Sequence, residues 1–301
     1  MPLSAAAGPV LVIFNPVAGW RRRARFRAVL RLLAASGAEV TVRETTQRGD
    51  AEKLAQAAAA SADAAAGARL LVAGGDGTVN EVVNGLDRAS LPLALLPLGT
   101  ANVLAHEIGL ALTAEAIADT ALNGVARQVS LGRVNGRRFV LMAGIGFDAR
   151  VVAGIVPRTK RWLGRGAYVL GSARELLHYR PDRYTLSIDG EPRAAASAVI
   201  ANGRLYAGRY LLAPRARLDS PSLEVVLFTR PGRWSVLRYA TALLLDRLPG
   251  ARGIEIVTAS RITIDGTPGE PIQGDGDIIA ELPAVIDVVP DALMLMTPRG
   301  P

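Results

Sequence analysis

Across the first third of the chain, short apolar runs alternate with segments at helical spacing, and few folds accommodate that alternation. Residues 10–14 form an apolar strand pattern. In residues 20–35, Phe26, Val29, Leu30 and Leu33 recur at helical spacing before Ser36-Gly37 stops the pattern. Residues 39–43, 69–73 and 93–96 repeat the strand pattern; residues 50–60, 79–86 and the stretch from Val103 onward repeat the helical one. Such repetition predicts an α/β domain with a doubly wound parallel sheet and ligands at the carboxyl ends of its strands.

After Gly132 the period changes. Asn135-Gly136, Asp189-Gly190, Asn202-Gly203 and Asp265-Gly266 each lie beside β-rich segments, where they are predicted to make two-residue hairpin turns. One helical pattern, residues 158–178, interrupts them. The second half therefore reads as a mainly antiparallel β domain, with the boundary near residues 130–136.

Composition narrows the chemistry. With 301 residues, half of them hydrophobic, the chain can bury two cores. It has no cysteine, and its two histidines are His106 and His178. Thiolate zinc sites and cysteine nucleophiles are excluded, so the chemistry must rest on carboxylates, backbone amides, hydroxyls and arginines. All but two of the 35 basic residues, Lys53 and Lys160, are arginines, and the net charge of +8 favours an anionic partner: nucleotide, nucleic acid or acidic membrane. No secretory pattern opens the chain, and no run approaches the ~20 apolar residues of a membrane span. A cytoplasmic protein that visits a bilayer only peripherally is expected.

The segment Gly74-Gly75-Asp76-Gly77-Thr78-Val79-Asn80-Glu81 directly follows the third strand pattern. Three glycines in four positions let amides approach a phosphate, and a helix terminus just beyond adds a field that favours anions. Thr78 and Glu81 also have the spacing of a helix capping box. Two further polar turns follow strands: Asn15-Pro16-Val17-Ala18-Gly19, leading to Arg21-Arg22-Arg23, and Pro97-Leu98-Gly99-Thr100-Ala101-Asn102. Three such loops at strand ends of one sheet would line one crevice.

In this order and at these spacings, N-P-x-x-G, G-G-D-G-T-x-N-E and P-L-G-T-x-N resemble the diacylglycerol kinase catalytic family, which includes sphingosine and ceramide kinases. The resemblance continues through Gly144-Ile145-Gly146-Phe147-Asp148, residues 160–168, Ala201-Asn202-Gly203 and residues 273–277. It implies an ATP-dependent lipid kinase with an α/β nucleotide domain, residues 1–133 completed by 288–301, and an antiparallel β-sandwich substrate domain, residues 134–287. ATP with Mg2+ would lie in the cleft between them, held by Asn15, Pro16, Gly19, Thr45, Gly74, Gly75, Asp76, Gly77, Thr78, Asn80, Glu81, Gly99, Thr100 and Asn102. No Walker lysine motif and no H-R-D occurs. An NAD kinase-like soluble kinase, or a nucleotide-binding regulator without turnover, shares part of the pattern.

The family's C-terminal D-G-E reads Asp275-Gly276-Asp277 here, one methylene shorter. On extended backbone the two acids would face one side, one taking the hydroxyl proton and the other orienting it or a magnesium ion; the alternative is another Asp-Gly hairpin. Asp189-Gly190-Glu191 has the same letters but reads as a turn. A structural magnesium is implied at an acidic D-D-G turn, which here is Asp219-Ser220-Pro221 and lacks the second carboxylate. Arg158, Lys160, Arg161 and Arg165 surround Trp162 and Leu163, a composition suited to transient contact with an anionic membrane, or else to a solvated helix over a buried tryptophan. The expected partner is a membrane lipid, with no nucleic acid and with a homodimer left open.

Overall fold

The computed structural model describes residues 8–18, 22–61, 68–86, 91–154, 165–179 and 183–300. Residues 1–129 with 291–301 make one unit, and residues 130–290 a second.

In the first unit, strands β1 (Val10–Phe14), β2 (Val40–Glu44), β3 (Arg69–Gly74) and β4 (Leu93–Pro97) alternate with helices α1 (Arg23–Ala35), α2 (Asp50–Ala60), α3 (Asp76–Gly85), α4 (Val103–Glu107) and α5 (Ala114–Asn123). The strands pair in parallel in the order β2-β1-β3-β4. Leu70, Leu71, Val72 and Ala73 are buried in succession. Successive strand residues point to opposite faces, so both faces of the sheet are covered. Helix α1 packs on α5 and α2 on α3. The α2–α3 approach depends on Gly85, where a Cβ would fall 2.2 Å from the carbonyl oxygen of Glu52. Because the chain steps from β1 to β2 on one side and then to β3 on the other, the sheet has its switch point between β1 and β3, the place where sheets of this kind bind ligands at the carboxyl ends.

The second unit carries a six-stranded antiparallel sheet. It runs in the order Ile254–Ala259, Leu223–Phe228, Ser197–Ala201, Met142–Ile145, Pro271–Gly274, Asp277–Glu281. Tyr184–Ile188, Glu191–Ala195, Arg261–Asp265 and the lower part of Ala284–Thr297 form a facing antiparallel set. Phe139, Ile145, Tyr184, Ile200, Val225 and Ile264 belong to one buried cluster, the core of a sandwich.

Two expected hairpins form: Asn135-Gly136 and Asp189-Gly190 each have positive φ at both positions, the geometry of a type I′ turn. Two do not. Asn202 is fully buried, its amide group donating to Ser130 O and Val140 O at 2.8 and 2.7 Å, so it staples two segments instead of turning a hairpin. Strand Arg261–Asp265 pairs with Tyr184–Ile188 and with the last strand, so Asp265-Gly266 opens a crossover to Pro271–Gly274. Sequence pattern identifies a turn residue but not which strands flank it. The helix expected over residues 158–178 is Arg165–Leu177 among the described residues.

Candidate active site

The three polar loops of the first unit are fastened to one another. Asn15 follows β1; its Oδ1 accepts from the amides of Val17 and Ala18, and its Nδ2 donates to Thr78 Oγ1 at 3.0 Å. Pro16 lies in the same turn, and Gly19 lies outside the described residues. The carbonyl of Gly74 accepts from the amides of Leu98 and Gly99 at 2.8 and 3.2 Å. Gly75 and Gly99 touch backbone to backbone: a Cβ on Gly99 would lie 2.5 Å from Gly75 Cα, and one on Gly75 3.1 Å from Gly99 Cα. Asp76 Oδ1 accepts from the Leu104 amide at the long distance of 3.5 Å. Thr45, buried just past β2, donates its amide to Phe14 O. Gly99 therefore permits an approach that any other residue there would block, and Gly75 one that a side chain would crowd.

The Thr78–Glu81 capping box does not form. Strand β3 continues to Gly74, Gly75 is extended and caps α3 without a side-chain bond, and the helix begins at Asp76. Thr78 is consequently the third helical residue, facing back onto Gly74 and Asn15 instead of closing the terminus. Gly77 precedes Thr78, and Asn80 and Glu81 follow on the same helix, Asn80 being buried. Asn102 has left-handed backbone, φ 48°; its Nδ2 donates to Gly99 O at 2.8 Å, while its buried Oδ1 has no hydrogen-bond partner among the described residues. Thr100 is exposed beside it. Two arginines that the sequence reading did not single out by role, Arg22 and Arg25, donate to the carbonyls of Leu98 and Pro97 at 2.9 and 3.1 Å. Guanidinium groups thus stand at the same strand ends, a consequence of α1 starting directly after the first loop.

In the second unit, Asp275-Gly276 is a hairpin turn with φ 51° and 86°, so the two acids do not lie at i, i+2 on extended backbone. Asp275 accepts from three amides, those of Val140, Leu141 and Met142, at 2.7, 2.9 and 3.2 Å. Asp277 opens the next strand, opposite Gly274. Gln273 links this turn to a second carboxylate: its Oε1 accepts from the Gly276 amide at 2.9 Å and its Nε2 donates to Asp148 Oδ2 at 2.7 Å. The Tyr206 hydroxyl donates to Asp148 Oδ1 in a short bond. Gly144 makes room for this carboxyl, since a Cβ there would lie 2.1 Å from Asp148 Oδ2. Asp148 keeps some exposed surface, yet its carboxyl end is enclosed, and desolvation pushes its pKa above the usual aspartate range against the lowering by Tyr206 and Gln273. Asp189, by contrast, accepts from the Ser260 and Arg261 amides and holds its own turn.

Residues 9–134 match the family model of the diacylglycerol kinase catalytic domain, and residues 142–297 match that of the YegS C-terminal NAD kinase beta sandwich-like domain. A diacylglycerol kinase of Mycobacterium tuberculosis is 30% identical over 304 residues, covering 97% of this chain and 96% of that protein. The chain belongs to the diacylglycerol kinase family of lipid kinases. A Pseudomonas aeruginosa relative named "Probable lipid kinase YegS-like" is 32% identical over 285 residues, with 91% of this chain and 90% of the relative covered. A crystal structure of a diacylglycerol kinase from Bacillus anthracis superposes with a TM-score of 0.77 at 24% identity, covering 96% of each chain, which shows a common fold.

In this lipid kinase the turn implied to hold a structural magnesium does not fit one. Asp219 is engaged by Arg217 through two bonds of 2.9 Å, and Ser220 Oγ shares a hydrogen bond with Ser222 Oγ at 2.8 Å. A guanidinium pairs with the one carboxylate of the turn, and the turn's other side-chain donors are neutral hydroxyls, a poor set for a hard dication.

The enclosed Asp148 makes stability depend on pH. Its folded pKa is raised, so its contribution is fully present below the unfolded value, about 3.9, and is lost as pH rises through the folded value. Asp148→Asn removes this titration, and Tyr206 can turn from donor to acceptor to suit the amide. Urea unfolding of the two proteins between acidic and mildly alkaline pH should show the parent losing stability relative to the variant as pH rises. A difference that stays constant with pH would mean that the Asp148 carboxyl titrates alike in the folded and unfolded chain.

Proposed function

We propose that the protein transfers the terminal phosphate of ATP, with Mg2+, to the hydroxyl of a lipid alcohol such as diacylglycerol or a sphingoid or related lipid. The observation that carries this reading is the glycine contact between the loops after β3 and β4, tied to the loop after β1 through Asn15 and Thr78, in a chain of lipid kinase descent. The residues fit a nucleotide: amides near Gly75 and Gly99 can approach phosphate without Cβ atoms intervening, and Asn102 Oδ1 offers a buried acceptor to a ribose hydroxyl or an amino group. Mg2+ would neutralise phosphate charge, and Asp76 is the carboxylate of that loop able to meet it.

The acceptor oxygen attacks the terminal phosphorus, the bond to the ADP oxygen breaks, and the hydroxyl proton passes to Asp277. Asp275, its oxygens occupied by three amides, holds the turn that presents Asp277. Substrate is met at the anionic face of a membrane, on the cytoplasmic side. No helix among the described residues is long and apolar enough to cross one. The basic stretch of residues 158–164 lies outside the described residues.

Incubation with labelled ATP and separate panels of lipid alcohols and NAD tests the reading. Label is expected in a lipid product that depends on Mg2+. Label in NAD instead would make the protein a soluble nucleotide kinase, and nucleotide binding without transfer to any acceptor would make it a regulator.

A further inference from the structure

In the second unit, the helix Arg233–Leu244, numbered α8 after α6 (Phe147–Ala153) and α7 (Arg165–Leu177), is apolar on the side facing away from the protein. Its inner side is accounted for: Tyr239 is buried, meets Phe228 edge to face at 5.2 Å and donates its hydroxyl to Gly253 O. On the outer side, Trp234, Leu237, Leu244 and the capping Leu245 are 84%, 41%, 60% and 59% exposed. Positions 234, 237, 241 and 244 recur at helical spacing, so Trp234, Leu237 and Leu244 form a single stripe, interrupted by Thr241, whose hydroxyl donates to Leu237 O. Leu177, 71% exposed at the end of α7, adjoins it, because Arg233 donates to Leu177 O at 2.7 Å and the Gly232 amide donates to the Tyr179 hydroxyl at 2.8 Å. Residues 230–252, which span α8 and both of its flanks, contain the exposed arginines 230, 233, 238, 247 and 252 against one acid, Asp246, whose carboxylate accepts from the Leu211 amide.

We infer that α8 is a membrane-docking helix, which lies in the plane of an anionic bilayer with Trp234, Leu237, Leu244 and Leu245 among the acyl chains and its arginines at the headgroups. Charge decides between the available occupants. A second copy docked on the same face would bring one arginine rim against another, whereas anionic headgroups complement it. A helix of 12 residues is about 18 Å long at 1.5 Å per residue, too short for a hydrocarbon core of roughly 30 Å, so it lies on the surface. An exposed tryptophan beside leucines and arginines is the composition of an interfacial helix. The inference rests on the lipid substrate proposed above only for the reason a bilayer should be visited.

The test is co-sedimentation of the full chain with vesicles of phosphatidylcholine alone and of phosphatidylcholine mixed with phosphatidylglycerol. The parent should bind the mixed vesicles more tightly. The Trp234→Gln/Leu244→Gln double variant should partition onto them at least about tenfold more weakly, with an unchanged melting temperature and unchanged activity on detergent-dispersed lipid. Arg230→Gln/Arg247→Gln should weaken binding to the mixed vesicles and leave the neutral ones unaffected. As an independent readout, Trp234 fluorescence in a Trp20→Phe/Trp162→Phe background should be quenched by brominated lipid. Equal vesicle binding by parent and double variant overturns the inference, as does a parent dimer in solution that the double variant converts to monomer. Failure to phosphorylate any detergent-dispersed lipid alcohol would sink the kinase reading alone, since vesicle binding is measured without turnover.

Discussion

Gly99→Val protein is expected to retain its fold and lose at least about 100-fold in turnover. The loops after β3 and β4 touch through the Cα atoms of Gly75 and Gly99, and even the first carbon of a side chain at position 99 would sit 2.5 Å from Gly75 Cα. Backbone cannot yield as a flexible side chain can, so the loops must separate by the order of an ångström. A displacement of that size in a positioning element costs about 10²-fold. Sheet register is set by strands β1 to β4, whose cores lie below the loops, so circular dichroism should be unchanged. Asp76→Ala should also lower turnover by orders of magnitude, by removing the carboxylate proposed to meet Mg2+ and the contact to the Leu104 amide. Parental turnover and nucleotide affinity in both folded variants would reduce this junction to a structural turn.

The second large effect separates the two acids of the C-terminal turn. Asp277→Asn should lower turnover ~10²–10⁴-fold with ATP affinity nearly kept, because an amide preserves shape but accepts no proton. Asp275→Asn should act through the fold. Its carboxylate accepts from the Val140, Leu141 and Met142 amides, and an amide would turn one donor toward those donors, at a cost of about 1–3 kcal/mol. A lowered melting temperature is therefore expected for Asp275→Asn and not for Asp277→Asn. Glu191→Gln, beside the turn that Asp189 holds, should be close to silent. Asp277→Glu restores the family residue; unchanged or reduced turnover is expected if the shorter acid is adapted to this site, and a large gain would mark a weakened kinase. Parental turnover in folded Asp277→Asn, with turnover abolished in folded Glu191→Gln, would move the base to the other Asp-Gly pair.

In the α/β half, local pattern located the four strands to within one residue. Strand β1 and helix α2 have the bounds that hydrophobic spacing predicts, and Ser36-Gly37 ends α1, where Gly37 takes φ 81°. These signals are carried by residues near one another in the chain: an apolar period, an alanine run, a glycine stop. Non-local pairing was not legible. Asn202-Gly203 and Asp265-Gly266 have the letters of a hairpin, yet Asn202 bonds to carbonyls 62 and 72 residues away, and Asp265 ends a strand whose partners come from elsewhere in the chain. The start of α3 was misplaced for a related reason. Thr78 has a capping spacing, but its hydroxyl is taken by Asn15, 63 residues earlier.

By itself, the sequence determined the family, the two kinds of sheet and the order of the three polar loops, because these depend on period and on glycine-bearing motifs that survive without knowledge of contacts. Tertiary structure alone decided what those residues do to one another. It brings Gly75 against Gly99 and Thr78 against Asn15, occupies Asp275 with three amides and encloses Asp148 between Tyr206 and Gln273. It also leaves Trp234 and Leu244 facing outward on a helix whose sequence is apolar on both sides. The reason is physical: burial, desolvation and hydrogen-bond competition are set by distances between residues far apart in the chain, and a linear pattern carries no such distances.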